Sequence, residues 1–198
     1  ESDPIRKQEY MDKISQASKN AQDLVAKVLE MDASDQKETS TKLSSIDVVK
    51  IIQEGVTSMV KVADQKGIRI ELTDLTERQK VIGEETYLRA IVENLLSNAV
   101  KFSEKDTTVQ VELSNTENNI VLKVIDQGPG IDPSEEELLF QKFSKLSPRP
   151  TAGESSTGLG LSLVKRYVEK MNGMVRYEAG YKVGAIFIVE LPIDQRID

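Results

Sequence analysis

The sequence contains neither histidine nor cysteine in its 198 residues. Lacking cysteine, it has no disulfides and no thiolate metal sites, which fits a reducing, cytosolic setting. Lacking histidine, it has neither the commonest general base nor the commonest transition-metal ligand, and no imidazole that could carry a phosphoryl group. No stretch approaches the roughly 20 apolar residues needed to cross a bilayer; the longest, Gly184 to Val189, has the length of a strand. No secretory signal opens the sequence. An excess of positive charge is also missing. The 26 basic and 33 acidic side chains leave a net charge of −7, which argues against a nucleic-acid binder, since that affinity comes from neutralising phosphates. A small anion held in a local basic pocket remains compatible with it.

What is present has the balance of a globular chain: 38% of residues are hydrophobic and 30% charged, enough for one domain with a sizeable core plus an additional element. The first forty residues differ from the rest. Met11, Ile14, Ser18, Ala21, Val25 and Val28 recur at alternating spacings of three and four, a heptad-like seam that predicts one long helix. Pro4 suits its first turn, with Ser2 or Asp3 as cap. Residues 32 to 41 are polar and rich in capping side chains, and mark a boundary between an N-terminal segment, 1–40, and a domain, 41–198.

Within that domain the periodicity predicts a short strand at 42–47 and a helix over 48–65 that stops at Lys66-Gly67. Strands follow at 68–73 and 80–82, then a long amphipathic helix at 84–102, and strands at 108–114 and 119–126. A segment from Gln127 to Thr157, rich in Gly, Pro and Ser, is too long for a passive connector. A helix at 158–171 and strands at 174–179 and 185–191 complete the chain. Strands and helices mix without a regular βαβ alternation. The expected fold is an α/β two-layer sandwich, a mixed sheet with helices on one face.

Three segments carry chemistry. In the long helix, Asn94, Asn98 and Lys101 fall at i, i+4 and i+7, a polar stripe beside the apolar face of Leu88, Ile91, Leu95, Ala99 and Phe102. Amide oxygens can ligate Mg²⁺ and the ammonium can neutralise phosphate; the same stripe also reads as a solvated helix face. Asp126-Gln127-Gly128-Pro129-Gly130-Ile131 ends a strand, where an aspartate can accept from an amino group and glycines admit close approach; it also reads as a plain turn. Ser155-Ser156-Thr157-Gly158-Leu159-Gly160-Leu161-Ser162 opens a helix, an anion site by its free amides and dipole, or simply a capped terminus. No Lys-Ser/Thr follows these glycines, so this is not a P-loop.

Taken in order and at these spacings, the three segments resemble the nucleotide motifs of the GHKL (Bergerat-fold) ATP-binding superfamily. Leu139-Phe140-Gln141-Lys142-Phe143 resembles the phenylalanine box of sensor histidine kinases, and Gly180 to Pro192 their terminal hairpin. The resemblance covers about 41–193. It implies that Asn98 coordinates Mg²⁺, with Asn94 supporting metal and phosphates. Lys101 would contact phosphate, Phe102 line the pocket, and Asp126 accept from the adenine amino group of ATP. Gly128, Gly130 and Ile131 would form the pocket floor, and Thr157, Gly158, Leu159, Gly160 and Leu161 would bring backbone amides to the phosphates. Residues 127–157 would be a mobile ATP lid, loosest around Ser147–Ser155 without nucleotide. Phe140 and Phe143 would anchor it, and Lys142, Lys145 and Arg149 would supply its cations.

Within the superfamily, ATPases and serine kinases typically place a Glu one turn before the metal asparagine. Here that residue is Asn94, as is common in histidine kinases; Glu93 points about 100° away. The N-terminal segment resembles the second helix of the dimerisation and phosphotransfer hairpin, whose first helix bears the acceptor histidine. The resemblance therefore implies a piece of a longer, homodimeric kinase, in the cytoplasm and without membrane contact. It would transfer the γ-phosphoryl group to a histidine outside this chain, in cis or trans, for relay to the receiver domain of a response regulator. An ATP-binding pseudokinase scaffold and a GHKL-fold ATPase are the alternatives.

Overall fold

The computed structural model describes residues 43–151, 154, 156–180 and 184–196, together with Gln8, Tyr10, Met11, Ile14, Ser15, Ser18, Ala21, Gln22 and Val25 of the N-terminal segment. The chain divides into two compact units at Thr41 and Lys42. The described residues of the first unit are helical, and Met11, Ile14 and Val25 of the seam are exposed. Pro4 with its capping neighbours, Val28 and the polar boundary at 32–41 lie outside the described residues. Among the described residues, no helix is long and apolar enough to cross a membrane.

The second unit runs β1 (Ser44–Asp47), α1 (Val48–Asp64), β2 (Arg69–Asp74), β3 (Lys80–Gly83), α2 (Glu85–Phe102), β4 (Thr108–Asn115), β5 (Asn119–Ile125), a 3₁₀ turn (Pro133–Leu138), α3 (Gly160–Lys170), β6 (Met174–Ala179) and β7 (Ala185–Pro192). Five strands form a mixed sheet in the order β2-β4-β5-β7-β6. β2 and β4 are parallel and the other pairs antiparallel. The registers align Leu72, Val111, Val124, Phe187 and Tyr177 in one row across the sheet. The row's centre is buried, with Val111, Val124 and Phe187 all nearly solvent-free. Because side chains alternate faces along each strand, this register presents one apolar face to the helices.

The helices form the second layer, α2 lying between α1 and α3. α1 starts where the Asp47 carboxylate accepts from the Lys50 amide at 3.0 Å, a side-chain cap on an otherwise orphan donor. It stops before Gly67, whose φ of +70° only glycine adopts cheaply. On α2, Leu88, Ile91, Val92, Leu95, Leu96, Ala99 and Val100 are all buried, recurring at spacings of three and four. Burying each larger side chain stabilises the fold by about 1.5–3 kcal/mol, which rigidly seats α2 and its polar stripe.

Two features go beyond the sequence reading. β1 and β3 do not join the main sheet; they pair antiparallel as a separate two-stranded sheet, tied to the C-terminal end through a Val81–Ile193 bridge. The 127–157 segment is not irregular throughout, since Asp132 caps the 3₁₀ turn by accepting from the Ser134 amide, with Pro133 in its first turn.

Candidate nucleotide-binding site

α2 carries the polar stripe. Asn94 is tolerated in mid-helix because its Nδ2 donates to the Ala90 carbonyl at 2.7 Å, the i−4 bond open to short polar side chains. That bond turns Oδ1 outward, toward the start of α3. A Cβ placed on Gly160 would lie 2.8 Å from Asn94 Oδ1 and 3.9 Å from Asn98 Nδ2. Glycine thus lets the first residue of α3 approach both asparagines; a Cβ there would require the Asn94 amide to shift. Asn94, Asn98, Lys101 and Phe102 are all half-buried, whereas Glu93 is exposed on a different face. Lys101 already has an interaction within the protein.

Asp126 stands beyond the C-terminal end of α2. It is only 5% exposed. Its Oδ1 accepts from the Gly128 amide at 2.9 Å and the Ala185 amide at 3.0 Å. Burial pushes its carboxyl above the ordinary carboxylate range, and these two amide bonds oppose the shift by favouring the ionised form. A Cβ on Gly128 would lie 2.6 Å from the Phe102 carbonyl oxygen, so the Asp126–Gly130 turn is pressed against the end of α2. Gly130, at φ +74°, sits against Gly184, and Gly184 against the Asp126 carbonyl. Ile131 is half-buried beside them.

The third segment enters α3. Gly158 accepts from the Phe143 amide at 2.9 Å through its carbonyl, Thr157 and Leu161 are half-buried, and Leu159 is fully buried, so any ligand contact from Leu159 is through its backbone. The helix N-cap, Leu159, makes no side-chain cap bond, which leaves the first amides of α3 open toward the asparagines. Ser155 lies outside the described residues. Among the described residues no three carboxylates cluster; a cation here would have to take its ligands from amide oxygen, phosphate and water. Mg²⁺ tolerates that set.

Phe143 corrects an expectation. It is 62% exposed with φ +63°, a conformation that turns its side chain outward, so it does not anchor the segment. Leu139 is the buried residue there, and Phe140 is half-buried. Of the stretch expected to be loosest, residues 152, 153 and 155 lie outside the described residues. At its described positions Ser147 donates its amide and hydroxyl to the Glu135 carboxylate, and Thr151 donates its amide to the Lys101 carbonyl at 3.1 Å. Lys142, Lys145 and Arg149 are exposed. Sequence reasoning missed the Ala185 amide, whose only signal was the glycine before it. It also missed Lys66, read there as nothing more than the end of α1.

A family model described as histidine kinase-, DNA gyrase B-, and HSP90-like ATPase matches residues 83–195. The chain belongs to that family. It is 28% identical over 190 residues to the sensor-like histidine kinase SenX3 of Mycolicibacterium smegmatis, which covers 96% of this chain and 49% of SenX3. Among solved structures it is similar to the mycobacterial sensor histidine kinase MprB, at 29% identity and TM-score 0.68, covering 76% of this chain and 98% of that one. It is likewise similar to full-length ShkA in complex with AMPPNP, at 27% identity and TM-score 0.78, covering 94% of this chain and 38% of that one. The chain thus spans about half the length, or less, of the curated relatives it matches.

Proposed function

We propose that this ATPase-family domain is the catalytic domain of a sensor histidine kinase. In this reading it binds Mg·ATP along α2 and transfers the γ-phosphoryl group to a histidine outside this chain. The observation that carries the reading is that all three motifs meet one helix: Gly128 against Phe102 at its end, Gly160 against Asn94 and Asn98 near its middle. Eight residues separate Asn94 from Phe102, a rise of about 12 Å, which suits a nucleoside triphosphate laid lengthwise. Asp126 marks the base end and the open amides of α3 the phosphate end.

Each residue has a defined task in this reading. Asp126 accepts from the adenine amino group through Oδ2, to which no described residue donates. Phe102, Gly130 and Ile131 border the base. Asn98 offers an amide oxygen to Mg²⁺, with Asn94 beside it, and the metal supplies charge neutralisation between phosphate oxygens. Lys101 and the amides at Gly160–Leu161 hold phosphate. In the transfer itself, the acceptor imidazole nitrogen forms a bond to the γ-phosphorus as the bond to the β,γ-bridging oxygen breaks, and ADP leaves. Such a loose transition state needs positioning and electrostatics more than a base. The exposed position of Glu93 and the presence of Asn94 at the usual place of a water-activating Glu favour this over ATP hydrolysis.

Residues 1–40 are then the second helix of the phosphotransfer hairpin, and the partners are a histidine-bearing helix, a response regulator and a second copy of the kinase, in the cytoplasm. Calorimetric titration of the chain with ATP, GTP and adenosine in the presence of Mg²⁺ tests the nucleotide site. Clear preference for ATP over GTP is expected; equal affinities would overturn the role of Asp126. Transfer of label from ATP to a separately supplied histidine-bearing hairpin separates a kinase from a scaffold or an ATPase.

A further inference from the structure

Lys66 is the only lysine or arginine that is buried among the described residues. It lies in the turn after α1, and its ammonium reaches across to the end of α2. Nζ donates to the Val100 carbonyl at 2.8 Å and the Lys101 carbonyl at 3.1 Å. It also meets the Thr151 hydroxyl at 2.7 Å and the Glu154 carboxylate at 3.2 Å. Three N–H groups thus serve four acceptors, the longer contacts sharing a donor.

Two of these partners belong to the last turn of α2, where carbonyls lack intrahelical donors and carry the negative end of the dipole. The other two belong to the limb of the 127–157 segment that returns to the cleft. Thr151 reinforces the junction by donating its hydroxyl to the Ser103 carbonyl at 2.8 Å and its amide to the Lys101 carbonyl. A buried ammonium is costly unless paired, so this one favours a single arrangement of helix end and limb. Only four residues separate Glu154 from Gly158, a reach of about 14 Å even fully extended. The tether therefore bounds the position of the Gly158–Gly160 turn, which bears the open amides.

We propose that Lys66 is a positioning residue that latches the returning limb onto α2 and so places the phosphate-side amides, without touching nucleotide itself. The inference rests on the nucleotide reading above. It predicts a split: loosening the limb weakens ligands that carry phosphates far more than those that carry only the base, because the base acceptor Asp126 is held by the Gly128 and Ala185 amides rather than by the limb.

The test is calorimetric titration of Mg·ATP and of adenosine into the wild-type chain, Lys66→Met, Thr151→Val and Glu154→Gln, with far-UV circular dichroism to establish folding. Thr151→Val leaves the ammonium on the α2 carbonyls, so it loosens the limb while keeping the helix end capped; should Lys66→Met not fold, Thr151→Val and Glu154→Gln decide the matter. Each folded variant is expected to lose about tenfold in Mg·ATP affinity, roughly 1.4 kcal/mol, while adenosine affinity stays within about twofold. Hydrogen exchange at the Thr151 amide should accelerate in parallel. Wild-type affinity for Mg·ATP in folded Thr151→Val and Glu154→Gln would overturn the latch alone. So would a parallel loss for ATP and adenosine, which marks a merely structural cap. A wild-type chain that binds no ATP would overturn the nucleotide reading and the latch together.

Discussion

Asp126 gives one oxygen to the fold, and on the proposed reading the other accepts from the ligand. Oδ1 accepts from the Gly128 and Ala185 amides, bonds that an asparagine oxygen also accepts. Asp126→Asn should therefore fold, but it turns a donor toward the proposed adenine amino group. ATP binding is expected to weaken by about 1.5–3 kcal/mol, the range for a charged hydrogen bond. Because burial raises the folded-state carboxyl above its ordinary value, the ionised aspartate costs stability at neutral pH. Its favourable contribution is complete below the unfolded carboxylate's range, near about pH 4, and is lost as pH rises through the raised folded value. Asp126→Asn should accordingly melt at or above the wild type near pH 7, and the advantage should shrink on acidification. A variant that melts lower at pH 7 and binds ATP unchanged would remove both arguments. Asn98 acts at the other end of the cleft, so Asn98→Ala should abolish the tightening of ATP by Mg²⁺ and leave adenosine affinity unchanged, measured by titration with and without the metal. If Asn98→Ala binds Mg·ATP like the wild type, the stripe is only a solvated helix face. Both residues were singled out in the sequence by the order and spacing of three motifs that together resemble a nucleotide-binding set, since each motif alone also reads as a plain turn or a solvated helix face. Lys66 was not, because a lysine before a helix-stopping glycine is locally ordinary, and only the tertiary fold reveals that it is buried.

At the scale of elements, the junction of β5 and β7 fixes the base end of the cleft. The Asp126 amide donates to the Ala185 carbonyl at 3.0 Å, and Gly184 packs directly on the Asp126 carbonyl with φ +97°. A Cβ at that position would lie 2.0 Å from this backbone oxygen, so neither rotamer change nor a flexible neighbour can relieve the contact. Gly184→Ala should lower the thermal midpoint, the strained backbone alone costing about 1–3 kcal/mol, and should weaken adenosine and ATP together because the base end itself shifts. An unchanged midpoint would show that the junction is looser than this packing. The element boundaries themselves were largely legible: runs of strand-favouring residues between turn signals located β4, β5, β6 and β7, and period 3.6 located α1 and α2, to within a residue or two. Helix α3 starts at Gly160 rather than at Gly158, because Gly158 at φ +70° belongs to the turn that accepts from Phe143. The pairing of β1 with β3 outside the main sheet was not legible, since strand partners are chosen by long-range packing that no local window contains. The 3₁₀ turn was legible in principle: Asp132-Pro133-Ser134 is a helix-start signature hidden in a segment read as irregular.

For the whole molecule, the decisive feature is what the domain can supply and what it cannot. On the proposed reading the second unit lines a base acceptor, a metal-binding amide, phosphate-facing amides and a cation along one helix; in a chain of net charge −7 the local positive end of α3 is the natural seat for an anion. The chain supplies no imidazole anywhere in its 198 residues. On the proposed reading the chain binds ATP and positions its γ-phosphoryl group, yet it has no imidazole nitrogen to receive it. Incubated with labelled ATP and Mg²⁺, the chain alone should acquire no phosphate that is stable in alkali and lost in acid, the signature of phosphorylated imidazole. Addition of a histidine-bearing helical hairpin should produce such label on the added polypeptide, at a rate that falls in Asn98→Ala and Asp126→Asn. The two variants matter because label that appears at an undiminished rate comes from another source than this cleft. Hydrolysis of ATP without any transfer would instead assign the domain to the ATPase branch of its family. Alkali-stable, acid-labile label on this chain by itself would have to sit on a lysine nitrogen and would overturn the reading that the acceptor lies on another polypeptide.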